Sequence, residues 1–301
     1  AMASAAYLWA ACLGCGCEPV HSMCGEGPQP HGASSRAPGR IVSLAPSVTE
    51  ILFMIGAGDR VVGVTRYCTY PEQALAKAKV GGYVDPSVEA VCALRPELVI
   101  MLAEQARYLS CLDTIGVKAL AVDHATPQGI LDSILEIGRA CGETRRAQQA
   151  VAALRSRMEA VRSRTGTGPH PRVLVTVGRT ISPGGISDVF AAGKGSFHDE
   201  LIALAGGINA LDRPPAYPMV TAEGVMRMNP DIVIDLVPDT DARPGTEAEV
   251  TAAWRKFAGV RAVKTGRIHV IVGSHTVVTG PRFIELLEDM ARIIHPEAGL
   301  P

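Results

Sequence analysis

Aromatic residues are scarce in this chain: 2 Trp, 6 Tyr and 5 Phe make up 4% of 301 residues. A tyrosine in a loop beside a strand end therefore carries more weight than usual. Net charge is lacking as well, with 29 Lys and Arg set against 30 Asp and Glu for a formal −1. That balance supplies no long-range field to hold nucleic acid phosphates or an anionic membrane surface, so nucleic acid is excluded as a partner. Enzyme signatures are missing too. There is no G-x-S-x-G elbow and no H-E-x-x-H helix, which removes the usual supports of hydrolase and metalloprotease chemistry. Gly56-Ala57-Gly58 runs on to Val61 where a dinucleotide fingerprint wants Gly or Ala, and Gly193-Lys194 is followed by Gly195 where a P-loop wants Ser or Thr. The enzymatic reading left is a cleft enzyme on a Rossmann-like scaffold, using Cys68 with His124 or His198 as nucleophile and base; nothing in the sequence brings those side chains together.

Long apolar runs are also absent. Ala5 to Gly16 is apolar and rich in small residues, too short for a membrane span but the right size for the core of a secretory signal. Ala1 before Met2 reads as an expression scar, and the positive start of a signal is missing. Trp9-Ala10-Ala11-Cys12 and Leu13-Gly14-Cys15 each partly match a bacterial lipobox, which makes Cys12 or Cys15 the candidate lipidated residue. From Glu18 to Gly39 the chain is rich in Pro, Gly, Ser and His without periodicity, as expected of a tether. Residues 1–39 are thus a signal-like segment and tether, implying export to the periplasm or the outer face of the cytoplasmic membrane. Eight cysteines divide between this segment (Cys12, Cys15, Cys17, Cys24) and the body (Cys68, Cys92, Cys111, Cys141). The first group lacks a paired C-x-x-C repeat or a following His box, so no structural metal is expected. The second allows three disulfide pairings, with buried free thiols as the default.

What the sequence does contain is a repeat. SVEAVCALRPELVI (Ser87 to Ile100) and TAEGVMRMNPDIVI (Thr221 to Ile234) share one plan, set 134 positions apart. Each has Ser or Thr two residues before Glu, apolar residues at helical spacing, then Pro, an acid and a β-rich run, which predicts a capped helix feeding a strand, twice. Glu89 and Glu223 then stand in the first turns of equivalent helices, where a carboxylate is favoured and solvent reaches it. Around the repeat, strand runs at Ile41–Leu44, Arg60–Val64, Leu98–Leu102, Val117–Val122, Arg172–Val177 and Arg267–Val272 alternate with helical patterns. This order predicts an α/β fold with parallel-rich sheets. Ser47 and Glu50 read as a capping box opening the first helix, and further helices are expected over Ser196–Leu204 and Pro281–Ile294. Ala147, Val151, Leu154, Met158 and Val161 form one apolar stripe on a long helix over 143–164, about 33 Å at about 1.5 Å per residue. The expected organisation is two Rossmann-like lobes, 40–142 and 165–301, joined by that helix, with a ligand cleft between them.

Four strings are specific enough to resemble a known family: RIVSLAPSVTEILFMIGAGDRVVGVTRYCTYP from Arg40, VGGYVDPSVEAVCALRPELVI from Val80, AAGKGSFHDELIALAGGINAL from Ala191 and YPMVTAEGVMRMNPDIVI from Tyr217. They resemble the helical-backbone class of ABC-importer substrate-binding proteins, the group that delivers cobalamin, haem and ferric siderophores. The resemblance spans Arg40 to Glu297 and implies a binding protein, not an enzyme, that hands a metal chelate to an ABC permease. It implies that Glu89 and Glu223 dock against basic residues on the two halves of the permease, and that the protein is a monomer when free. Tyr67, Tyr83 and Tyr217 fall where cobalamin-binding relatives place aromatics against the corrin, with Arg66 able to meet an anionic edge; relatives often carry Trp at the second and third of these positions. Tyr is also an oxygen ligand for ferric haem, so Tyr83 keeps haem open as an alternative to a cobalt corrinoid. Of His124, His198, His269 and His275, no pair has metal-site spacing, so no metal site of the protein's own is expected. His269 reads as structural, and His275, in the loop after its strand, is the one expected to face the cleft.

Overall fold

The computed structural model describes residues 36–299 except 115, 167 and 183, and omits the side chains of 111 and 240. The lipobox-like Cys12 and Cys15, with Cys17 and Cys24, lie outside the described residues, as does the side chain of Cys111. Cys68, Cys92 and Cys141 are free thiols, the first and last of them buried.

The first lobe is a sheet of β1 (Ile41–Ser43), β2 (Val61–Val64), β3 (Ala78–Lys79), β4 (Leu98–Leu102) and β5 (Lys118–Val122), all parallel in the order β3-β2-β1-β4-β5. Every residue of β4, LVIML, is buried, as a parallel strand covered on both faces requires. The covering helices are α1 (Pro46–Met54), α2 (Val88–Ala93), α3 (Leu109–Thr114) and α4 (Pro127–Ala140). The expected capping box at the first of them is a correction. Helix α1 opens at Pro46, whose fixed φ suits a first turn, and no side chain caps it. Ser47 and Glu50 are buried instead, and their side chains are spent on contacts described below.

Helix α5 (Thr144–Thr165) follows the predicted connector to within a residue at each end. Its stripe is the reason it holds still: Ala147, Val151, Leu154 and Val161 are buried in one continuous core that runs from Ile41 and Ile100 of the first sheet to Val173 and Ile234 of the second. A bidentate pair, Arg157 to Glu288 at 2.7 Å through both nitrogens, ties α5 to α10 (Phe283–Ile294).

The second lobe holds β6 (Arg172–Ser182), β7 (Gly185–Ala191), β8 (Ile208–Asn209), β9 (Met219–Thr221), β10 (Ile232–Val237) and β11 (Ile268–Val272), with α6 (Phe197–Leu204), α7 (Ala222–Met228), α8 (Thr246–Arg255) and α9 (Arg261–Lys264). The order is β11-β10-β6-β7-β9, with β8 beside β6. Strand β6 is longer than its apolar run predicts: it continues past Val177 to Ser182, turns back at Gly184 and Gly185, and pairs antiparallel with β7, which pairs antiparallel with β9. The sheet is therefore mixed. Gly185 has φ +113, a conformation few other residues adopt, which fixes the turn there.

The repeat is real in three dimensions. Ser87 caps α2 by accepting the Ala90 N–H at 3.1 Å, and Thr221 caps α7 by accepting that of Gly224 at 3.3 Å. Arg95 and Asn229, equivalent in the repeat, are the two non-glycine residues with positive φ among those described, and each precedes a proline. The acid that follows is equivalent too: Glu97 accepts the Gly39 N–H at 2.7 Å and Asp231 that of Arg172 at 2.9 Å.

Candidate functional site

The ends of β1, β2, β10 and β11 face one another across the lobes, and a cleft of about 660 Å³ opens there. The first lobe lines it with Glu50, Arg66, Tyr67 and Tyr70, the second with Asp239, Ser274, Val277, Val278 and Arg282. An adjoining hollow of about 310 Å³ shares Tyr67, Val277 and Val278 and adds Tyr83, Ser47 and Thr279. Loops at the strand ends of α/β sheets are where such crevices form.

Tyr83 sits on a turn that glycine makes possible. A Cβ on Gly81, at φ +104, would lie 2.8 Å from the Asp85 carbonyl oxygen and the Ser87 nitrogen. The buried amide of Gln105 holds the turn, donating to the Tyr83 carbonyl at 2.7 Å and to that of Leu44 at 3.0 Å. The Tyr83 hydroxyl donates to Glu104. Burial, and then the Glu104 carboxylate, push its phenol well above the ordinary tyrosine range. Arg66 lies over the Tyr67 ring, 5.8 Å from its centre, and pairs with Asp85 at 3.0 Å while half exposed.

Tyr217 does not line either hollow. It stands on the rim of the second lobe, 40% exposed, with its hydroxyl 3.0 Å from His198 Nδ1. Its phenol is pushed up from the ordinary range, first by burial. Tyr83 and Tyr217 share a relation the residue pattern could have disclosed: each precedes its repeat's glutamate by six positions. Glu89 and Glu223 are both exposed in the first turns of α2 and α7, and Ser87 Oγ donates to Glu89 Oε2 at 2.9 Å.

The histidines separate. His275 is the correction among the candidate residues: its ring turns away from the cleft toward α10, with Nε2 3.7 Å from Asp289 Oδ2. The reason is its neighbour. Ser274 is drawn into the cleft because its N–H donates to Asp239 at 2.8 Å and its hydroxyl accepts from Arg282 at 2.9 Å, which sends the next side chain the other way. His124 is buried at the seam with Nδ1 2.9 Å from Ser47 Oγ, and burial lowers its pKa to about 4. His269 is half buried in β11, and Cys68 is hydrogen-bonded to Thr49 and Thr65.

The seam at the cleft floor is a buried ion pair that the sequence reading missed. Arg282 grips Glu50 through Nε at 3.0 Å and Nη2 at 2.6 Å, and lies 4.1 Å from the centre of the Tyr70 ring. Burial pushes the Glu50 carboxyl up even against the pull of Arg282. The signal available was Tyr70 itself, a second tyrosine in an aromatic-poor loop; the pairing of residues 232 apart was not available.

With this geometry in view, comparison with known proteins decides the family. Residues 41–273 match the periplasmic binding protein family. The chain belongs to it. A substrate-binding lipoprotein of an ABC transporter in Bacillus subtilis, YvrC, itself uncharacterised, is 30% identical over 270 residues, 87% of this chain and 82% of that one. The vitamin B12-binding protein of Salmonella typhimurium is 28% identical over 65% of this chain and 71% of its own. Among solved structures, the apo form of the periplasmic haem-binding protein RhuT from Roseiflexus is similar with a TM-score of 0.72 and 26% identity, covering 86% of this chain and 98% of its own. The protein is thus an ABC-transporter substrate-binding protein, in a family of transport proteins and not of enzymes.

Proposed function

We propose that the cleft captures a corrinoid and that the protein delivers it to an ABC permease. The observation that carries this reading is the state of the two tyrosines. The hydroxyl protons of Tyr83 and Tyr217 are committed inside the protein, to Glu104 and to His198, and both phenols are pushed toward the neutral form. A phenolate oxygen is what ferric haem takes from tyrosine, whereas neutral tyrosines with anchored hydroxyls offer ring faces. Ring faces suit a broad chelate whose metal arrives with its ligands already in place. Arg66 supplies a positive edge, and the similarity to the Salmonella vitamin B12-binding protein supports the same ligand class. Haem or a ferric siderophore is the second reading, favoured by the similarity to RhuT.

Glu89 and Glu223 are the docking residues in this proposal. A homodimeric permease offers two equivalent basic patches, and one exposed acid per lobe at matched helix starts meets them in register. Export, with lipid attachment through Cys12 or Cys15 at the outer face of the cytoplasmic membrane, belongs to the same reading; the YvrC relative is a lipoprotein. Isothermal titration of the protein with cyanocobalamin, haemin and a ferric siderophore tests the ligand. Saturable one-to-one cyanocobalamin binding, lost in the Tyr83→Ala, Tyr217→Ala double variant, is the expected result. Silence with cyanocobalamin and a signal from haemin or the siderophore moves the ligand within the class.

A further inference from the structure

His198 is a buried imidazole in the second lobe that the corrinoid reading leaves without a task. It occupies the first turn of α6, 4% exposed, and both ring nitrogens are used. Nε2 lies 3.1 Å from the Thr276 carbonyl oxygen, and Nδ1 lies 3.0 Å from the Tyr217 hydroxyl. A carbonyl only accepts, so the proton must sit on Nε2. Nδ1 is then bare, and the Tyr217 hydroxyl must donate to it. The partners belong to different stretches of the chain, one to the loop before β9 and one to the loop after β11.

One of those loops lines the cleft, and the other stands at the rim of the same lobe. Tyr217 offers its ring at the rim, edge-on to the imidazole with centres 5.8 Å apart at 81°. Thr276 precedes Val277 and Val278, which line both hollows of the cleft. The backbone prepares the same arrangement. Gly193, just before α6, lets the tyrosine loop close in: its N–H donates to the Ala216 carbonyl at 2.8 Å, and a Cβ there would lie 2.4 Å from the Pro215 oxygen. Burial holds the imidazole neutral down to about 4, so the bridge keeps one protonation state at working pH.

We propose that His198 is the positioning residue of the second lobe's ligand wall, fixing the Tyr217 ring and the Val277–Val278 loop from behind through one imidazole in its Nε2–H form. The proposal deepens the corrinoid reading and rests on it for the identity of the probe. His198 touches no ligand. It acts by setting the orientation of a ring and a loop that do, and so lowers the ordering cost of binding.

Titration of the protein with cyanocobalamin, for wild type, His198→Phe, Tyr217→Phe and the double variant, tests it. Phe at 198 keeps a planar ring and loses both bonds. Each single variant is expected to weaken Kd, by roughly five- to tenfold for Tyr217→Phe and more than about tenfold for His198→Phe. The double variant is expected to bind closer to His198→Phe than the product of the two single losses, because the hydroxyl's bond to the imidazole is already gone and only its contacts with Ser196 and the backbone at Phe197 and His198 are left to lose. Losses that multiply, or a His198→Phe protein that binds like wild type, overturn the proposal. A ligand-independent measurement accompanies it: the nitrogen resonances of His198 in the folded wild type at about pH 7 should show Nε2 protonated and Nδ1 bare, with Nδ1 shifted in Tyr217→Phe. The opposite tautomer overturns the proposal whatever the ligand. A wild type that binds none of cyanocobalamin, haemin or siderophore refutes the ligand reading, and the tautomer measurement then decides the positioning role by itself.

Discussion

Arg282 satisfies Glu50, a carboxylate buried between the lobes, while forming part of the cleft floor. Removing it leaves Glu50 buried and unpaired, so Arg282→Ala is expected to lower stability by about 3–5 kcal/mol in urea unfolding, and Glu50→Leu with Arg282→Met to recover most of that. An Arg282→Ala protein as stable as wild type would mean that water reaches the pair. Two of the buried imidazoles make a pH prediction. His124 and His198 have folded-state pKa values lowered to about 4 from 6.5, so between those values the unfolded chain binds more protons than the folded one. Stability from this source is complete above about pH 6.5 and is lost as pH falls toward about 4, by up to about 3 kcal/mol per imidazole. Glu50 and Asp235, held up by burial, oppose it at the acid end. The check is the unfolding midpoint across that range, with His124→Gln expected to flatten the slope by about half.

At the scale of elements, the matched starts of α2 and α7 are the features most open to a partner, since Ser87 and Thr221 finish each cap and leave the glutamates pointing to solvent. The Glu89→Ala, Glu223→Ala double variant is expected to bind ligand within about twofold of wild type and to abolish uptake in a strain carrying the permease, since rim charges govern association with a partner. Equal loss of ligand binding would sink the docking assignment. These helices were legible from residues alone because a cap, an acid and an apolar period are local signals. Strand β6 was less so. Its apolar run ends at Val177, and only antiparallel pairing with β7 extends it through Arg179, whose Nη2 lies 2.5 Å from buried Asp235 Oδ1.

For the whole molecule, the question is how far the lobes move. The core passes without a break through α5, and Glu50–Arg282 and Arg157–Glu288 tie α10 to the first lobe and to the connector. Among the described residues a hinge has no loose segment to use, so X-ray scattering with and without cyanocobalamin is expected to give superimposable curves; a clear compaction would refute this. The same features mark the division between sequence and fold. By itself the sequence determined the two related lobes, the connecting helix and its apolar face, the paired glutamates and the loops that carry Tyr67, Tyr83 and Tyr217, since each follows from period, capping or repetition within a short window. Tertiary structure alone decided that Ser47 and Glu50 serve the seam rather than a helix cap, that His275 turns away and that His198 backs Tyr217. Those outcomes depend on which partner reaches a buried polar atom first, and the partners lie 232 residues away for Glu50 and 78 for His198.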